Sequence, residues 1–264
     1  MKILVLIRQV PDSTTNIRIR PDRQDIERGG IKLVVNPFDE FAIEAAVRLR
    51  ESRKDVEQIT ALIVGPQQAT EALRTVLAIG ADDAIHLQDE AFEKLDELQT
   101  AALIAAVVKD AGYDLCITGK QEIDLDSGQI GPALAELLDW PHVGVVTQLD
   151  VADDAASFVA RRRIEGADEV VRVALPALIT IEKGLCEPRY PSLPNLMKAK
   201  KKPVKTMGAA DVAGFAEVVA EVGGAVLDRL EPPPERPPGK ILDGELEEVV
   251  PELVRLLREE AKAI

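Results

Sequence analysis

Between residues 3 and 138, short apolar runs alternate with stretches of helical period, and few folds accommodate that order. The runs fall at 3–7, 58–64 (QITALIV), 84–87 (AIHL) and 113–118 (YDLCIT). Helical spacing fills the gaps. In DEFAIEAAVRLRES, Phe41, Ala45 and Leu49 form one apolar stripe, with Asn36 and Pro37 placed as N-cap and first helical residue. The stretch QQATEALRTVLAIG predicts a helix closed at Gly80 by a left-handed cap. Further helices are expected over about 95–111 and 129–138. Such a β-α-β-α order builds a doubly wound, mostly parallel α/β sheet with right-handed crossovers. Hydrophobic residues make up 46% of the 264, but aromatics only 3%. The core must then be Leu, Val, Ile and Ala, which suits parallel strands buried under Ala-rich helices.

From residue 143 the pattern changes. VGVVTQLDV, SFVARRRIEG and DEVVRVALPALITI read as consecutive strands turning at Asp153–Asp154 and Glu165–Gly166, an antiparallel addition that closes near Ile181. Near the N-terminus, IRIRPDRQDIERGGIKLVV suggests a surface hairpin. Residues 232–240, PPPERPPGK, form a stiff linker. An amphipathic acidic helix is expected from about 243 to 263, broken or restarted at Pro251. The simplest division is a core of residues 1–184 followed by an arm, 185–264, that wraps a partner or packs back on its own core.

Residues 187–202, EPRYPSLPNLMKAKKK, resist explanation by folding alone. Pro188, Pro191 and Pro194 rule out an ordinary central strand or helix. Tyr190, Leu193, Leu196 and Met197 are apolar on a segment expected at the surface, and Lys198, Lys200, Lys201 and Lys202 follow. The formal net charge of the chain is −14. A stiff apolar loop beside a cationic cluster suits a grip on another, acidic protein; a connector with its apolar groups tucked inward is the plainer alternative. The acidic balance disfavours nucleic-acid binding. No apolar run reaches membrane-spanning length, and residues 1–7 read as a strand rather than a signal peptide, so a soluble, cytoplasmic protein is expected. Cys116 and Cys186 have no metal-site spacing.

The most chemical-looking segment is GKQEIDLDSGQIGP, residues 119–132, which leaves the C-terminal end of a strand and enters a helix. Open α/β sheets bind ligands there. Ser127, Gly128, Gln129 and Ile130 are expected to present backbone N–H groups to a phosphate, backed by the helix dipole. The same residues equally suit a capped helix start with two loop glycines. Neither GxGxxG nor GxxxxGK[ST] occurs. Asp124 and Asp126 suit metal ligation, acid–base work or plain capping. At the first crossover, Phe38 is either a hydrophobic staple or a wall for a planar ligand. No catalytic constellation and no metal cluster is recognised.

Taken in order, NPFDEFAIEAAVRL, ALIVGP, AIGAD, GKQEIDLDSGQIGP, LLDWP at 137–141 and EPRYPSLPNLMKAKKK resemble the β subunit of electron-transfer flavoprotein. RRIEGADEVVRVALPALIT is also similar to the family signature, with Ala167 where Gly or an acidic residue is usual. The resemblance implies a Rossmann-like fold of the adenine-nucleotide-binding type. It implies a heterodimer with an α subunit that carries the redox-active FAD, and a structural AMP in the β subunit. The AMP contacts carried over are Leu6, Asn36, Pro37, Phe38, Asp39 and Val64, together with Gly119, Lys120, Gln121, Glu122, Ile123, Asp124, Leu125, Asp126, Ser127, Gly128, Gln129 and Ile130. Phe38 matches an aromatic near the partner's flavin; Ser13 stands where some members have a flavin-contacting tyrosine. Residues Tyr190, Leu193, Pro194, Asn195, Leu196, Met197, Lys198 and Lys201 fall in the family's partner-recognition loop, with Leu193 as anchor. Lys198 and Lys201 match lysines that some relatives methylate.

The implied role is an electron carrier between acyl-CoA-type dehydrogenases and a membrane quinone oxidoreductase, as in fatty acid β-oxidation, with no substrate turnover of its own. Two alternatives stand beside it. One is a bifurcating member with a second FAD in place of AMP and NADH oxidation. The other is a stand-alone adenine-nucleotide enzyme, for which no catalytic constellation is found.

Overall fold

In the computed structural model, which describes residues 1–236 and 238–264, β1 (Lys2–Ile7) runs through the middle of the molecule. A short antiparallel pair follows, β2 (Gln9–Pro11) and β3 (Leu33–Val35), then α1 (Pro37–Ser52) and β4 (Gln58–Val64). Next come α2 (Thr70–Ile79), β5 (Asp83–Leu87), α3 (Glu97–Val108), β6 (Leu115–Gly119) and α4 (Ile130–Leu137). A meander of β7 (His142–Val151), β8 (Ser157–Ile164) and β9 (Ala167–Ala174) precedes β10 (Ala177–Ile181). The remainder holds α5 (Leu193–Ala199), β11 (Val204–Met207), α6 (Phe215–Val222) and α7 (Leu246–Glu259). One nine-stranded sheet has the order β11-β5-β4-β1-β6-β10-β7-β8-β9. Strands β11 to β7 in that order are parallel, and β8 and β9 are antiparallel. The α/β, doubly wound expectation holds.

The period-two geometry of β1 explains the layering. Ile3, Val5 and Ile7 point to the side covered by α1 and α2, where they meet Ile43, Ala46, Leu73 and Val76. Leu4 and Leu6 point to the other side, against Leu103, Ile104 and Leu134 of α3 and α4. All five are buried, so none of these five positions tolerates a polar side chain.

Five expectations need correction. Gly80 is not left-handed; its φ is 165°, which any residue adopts. Glycine is required there because a Cβ would lie 2.5 Å from the Val47 side chain, so the residue serves close packing of α1 on α2. The stretch 168–181 is two strands, not one. The chain leaves β9 at the sheet edge, and β10 inserts between β6 and β7, parallel to both. In the surface excursion only Ile19 and Ile26 bridge, and the ladder forms instead between β2 and β3.

The fourth concerns the proline-rich segment, which contains α5. Ser192 caps it by accepting from the Asn195 N–H, and Pro194 occupies the first turn, where its missing donor costs nothing. The fifth is α7, which runs through Pro251 without interruption. In the 232–240 linker the described residues carry no helix or strand, and Pro237 lies outside the described residues. Past residue 184, β11 pairs with β5 and extends the sheet, while α6 packs on α3.

Candidate functional site

The C-terminal ends of β1 and β6 meet the start of α1, and two polar side chains of α1's first turn join them. Asn36 is at the N-cap position, but its side chain does not cap the helix. Its amide instead crosses to the 119–130 loop, donating to the Gln121 carbonyl at 3.0 Å and accepting from the Ile123 N–H at 3.3 Å. Asp39 is buried. One carboxyl oxygen accepts from the Arg8 N–H just past β1, at 2.7 Å, and the other from the Gly119 N–H ending β6, at 3.1 Å. Burial pushes the Asp39 carboxyl up to about 7, against the pull of those N–H donors. Gly119 is obligatory: a Cβ would meet Asp39 at 2.5 Å and Phe38 at 2.6 Å. Phe38 lies beneath a cation, with Lys120 Nζ 5.0 Å from its ring centre and also paired with Glu182 at 2.7 Å.

The loop from Gln121 to Gly128 folds on its own carboxylates. Glu122, buried, accepts from the Ser127 hydroxyl at 2.9 Å and the Gly128 N–H at 3.3 Å. The Gly128 N–H, expected to be free for a phosphate, is therefore already engaged. Gln121 donates to Asp126, and Asp124 pairs with Arg8 at 3.2 Å, so neither aspartate is a solitary carboxylate. Asp126 and Gly128 both adopt left-handed backbone, φ 57° and 59°. Leu125 and Gln129 are exposed, while Ile123 and Ile130 are half-buried. Leu6 is buried and Val64 half-buried, on neighbouring strands in the register Leu6↔Leu62. Thus Asn36 and Asp39 tie the 119–123 segment to α1 through Gly119, Gln121 and Ile123, while Lys120 and Glu122 bond elsewhere, to Glu182 and to Ser127 and Gly128.

His86, in β5, braces the neighbouring turn, a structural role. It is buried, with Nε2 3.0 Å from the Gly65 carbonyl and Nδ1 3.3 Å from the Thr70 hydroxyl. Burial holds its pKa below the ordinary 6.5, outweighing the carbonyls of Gly65 and Pro66. The unfolded chain then binds a proton that the native state refuses, so His86 withdraws stability as pH falls below 6.5. In denaturant unfolding, the stability difference between the native sequence and His86→Gln should narrow as pH drops from neutral to below that value. Curves that stay parallel would contradict this account of the ring.

The 187–202 segment protrudes. Tyr190 is 96% exposed, Leu193 79% and Met197 64%, and Lys198, Lys200 and Lys201 are exposed beside them. Leu196, Ala199 and Lys202 turn inward. Leu196 packs on the core beside α2, and Lys202 donates to the Leu77 carbonyl at the end of α2, so it is not part of a solvated cluster. Two shallow concavities lie elsewhere, about 270 Å³ between 241–243 and α7 and about 200 Å³ on β7 and β8.

Residues 25–212 match the family described as the electron transfer flavoprotein domain. The chain belongs to the electron transfer flavoprotein β-subunit family. It is 40% identical to the electron transfer flavoprotein subunit beta of Bacillus subtilis, over the full length of both chains. It is 39% identical to that of Mus musculus, covering 90% of this chain and 91% of the relative. It is 38% identical to that of Sus scrofa, with 98% and 97% covered. Among the described residues, no helix is long and apolar enough to cross a membrane.

Proposed function

We propose that this chain is the β half of an electron-carrying heterodimer, and the observation that carries the proposal is the apolar, lysine-flanked face of α5. A soluble carrier that serves several donors needs one exposed anchor and a modest contact area, so that each complex dissociates after delivery. Leu193 on α5 would enter the donor, with Tyr190, Pro194, Asn195 and Met197 around it and Lys198 and Lys201 meeting acidic groups. The donors are acyl-CoA-type dehydrogenases, and the acceptor is a membrane quinone oxidoreductase. The exposed apolar residues of α7, Leu246, Val250 and Leu253, suit an arm laid along an α subunit. FAD bound chiefly by that subunit supplies the electron chemistry.

In this reading a structural AMP occupies the strand ends of the β chain. The donor chemistry fits a nucleotide phosphate: Ser127 and the backbone at the start of α4, with Arg8 and Lys120 as nearby cations. The fit carries one condition. Glu122 already holds Ser127 and Gly128, so a phosphate must share or displace that carboxylate. Phe38, in the first turn of α1 beneath Lys120, helps to shape the wall towards the partner's flavin.

Co-purification with the α partner, release of ligands by heat and chromatography test the assignment. Equal amounts of FAD and AMP are expected in the heterodimer. Twice as much FAD with no AMP would move the chain to the bifurcating, NADH-oxidising class. Turnover of ATP by the isolated chain would move it to the adenine-nucleotide enzymes.

A further inference from the structure

Arg189 lies at the start of the exposed hook, and it is tied to α1 more strongly than a surface loop needs. Its Nε and Nη2 donate to the Glu44 carboxylate at 2.7 and 3.0 Å, and Nη1 and Nη2 donate to Glu51 at 2.6 and 2.9 Å. The Glu44 side chain is only 1% exposed. Arg48 also donates to Glu44, at 2.7 Å, and reaches the Glu187 carbonyl at 3.2 Å. Burial alone would raise the Glu44 carboxyl; the two guanidinium groups reverse this and hold it below the usual range. At the far end of the hook, Arg74 on α2 donates to the carbonyls of Ala199 and Lys202 at 2.8 and 3.1 Å. Both feet of α5 are thus fixed, one to each helix of the same layer, while its outer face stays in solvent.

A buried ion pair is a weak source of stability, because desolvation offsets most of the attraction. It is effective at forbidding alternatives. If Arg189 swings away, a buried carboxylate is left with Arg48 alone, which is costly. The planar guanidinium spans two carboxylates at once, so it fixes direction as well as distance.

We infer that Arg189 is a positioning residue that pre-orders the hook, so that the redox partner meets Leu193 and Met197 already in their bound arrangement. This rests on the docking reading above. A pre-ordered loop avoids an ordering cost at the moment of binding. The effect therefore falls on the affinity of the docked complex, not on electron transfer within it.

The test uses the αβ complex with its flavin, an acyl-CoA dehydrogenase as donor, and hydrogen exchange of the 193–199 amides. Arg189→Gln should raise the dehydrogenase's apparent KM for the complex about fivefold or more, with kcat and the flavin spectrum unchanged. Exchange in α5 should quicken while β1 and β6 stay protected. Arg189→Lys keeps the charge but not the fork, and should not restore KM. If Arg189→Gln fails to fold, Glu51→Gln, at the exposed end of the clamp, should give the same KM shift in smaller measure. An unchanged KM, or quickened exchange with no KM change, overturns the inference. If KM responds to Leu193→Ala but not to the clamp variants, the hook stands and the clamp falls. Indifference to Leu193→Ala as well means that the docking reading itself has failed.

Discussion

Asp39→Ala should lower unfolding free energy by about 2–5 kcal/mol, measured by urea denaturation at neutral pH. The side chain contributes little apolar packing, so a loss of this size has to come from hydrogen bonding. Asp39 takes the N–H groups of Arg8 and Gly119, the points where β1 and β6 give way to their loops. An alanine supplies neither acceptor, so both main-chain N–H groups lose their partner. Asp39→Asn should cost less, about 1–3 kcal/mol, because one acceptor survives while its NH2 confronts the other N–H. A pH signature separates this from loss of packing. The native carboxyl pKa is raised from 3.8 to about 7, so the folded state binds the extra proton across that interval. Its contribution therefore falls as pH rises from 3.8 towards 7, and that slope should vanish in both variants. A loss below about 0.5 kcal/mol in the alanine variant would show that the strand ends do not depend on this carboxyl.

The sheet's central strands were legible because burial on both faces writes a continuous apolar run, as at residues 3–7 and 58–64. Helix starts were legible where local chemistry decides them, as at Pro37. Other features depend on partners far along the chain. Asn36 has the residue type of an N-cap, yet its amide binds a loop 85 positions away. Gly80 has the residue type of a left-handed cap, yet it answers to Val47. β10 was misjudged because its apolar run is contiguous with β9, and nothing local shows that Pro176 separates an edge strand from a central one. Of the candidate site, the 119–130 loop and α1's first turn were found from composition and position. The role of Glu122 was not, since a carboxylate that satisfies its own loop looks in sequence like any other acidic residue. The Arg189 clamp was hidden for the same reason: Glu44 and Arg48 show an i,i+4 pair, but the second guanidinium arrives 145 residues later.

Leu193→Ala should lower the rate constant for electron delivery from a partner dehydrogenase at sub-saturating concentration by about ten- to a hundredfold, equivalent to about 1.4–2.8 kcal/mol. Little of that can come from the fold. Leu193 is 79% exposed at the first position of α5, and the helix is held down instead by Leu196, half-buried, and Ala199, fully buried. Its truncation should leave melting temperature and flavin absorbance unmoved. The neighbouring lysines contribute differently. Exposed charges accelerate encounter more than they prolong contact, and the rest of this chain is strongly acidic. Added salt should therefore slow delivery by both the native and the Leu193→Ala proteins in similar proportion, through Lys198, Lys200 and Lys201. The anchor's effect should persist at high ionic strength. A stopped-flow series in donor concentration and salt separates the two contributions. If Leu193→Ala delivers electrons at the native rate under every condition, the protruding face of α5 is not where donors bind, and its exposed apolar residues need another occupant.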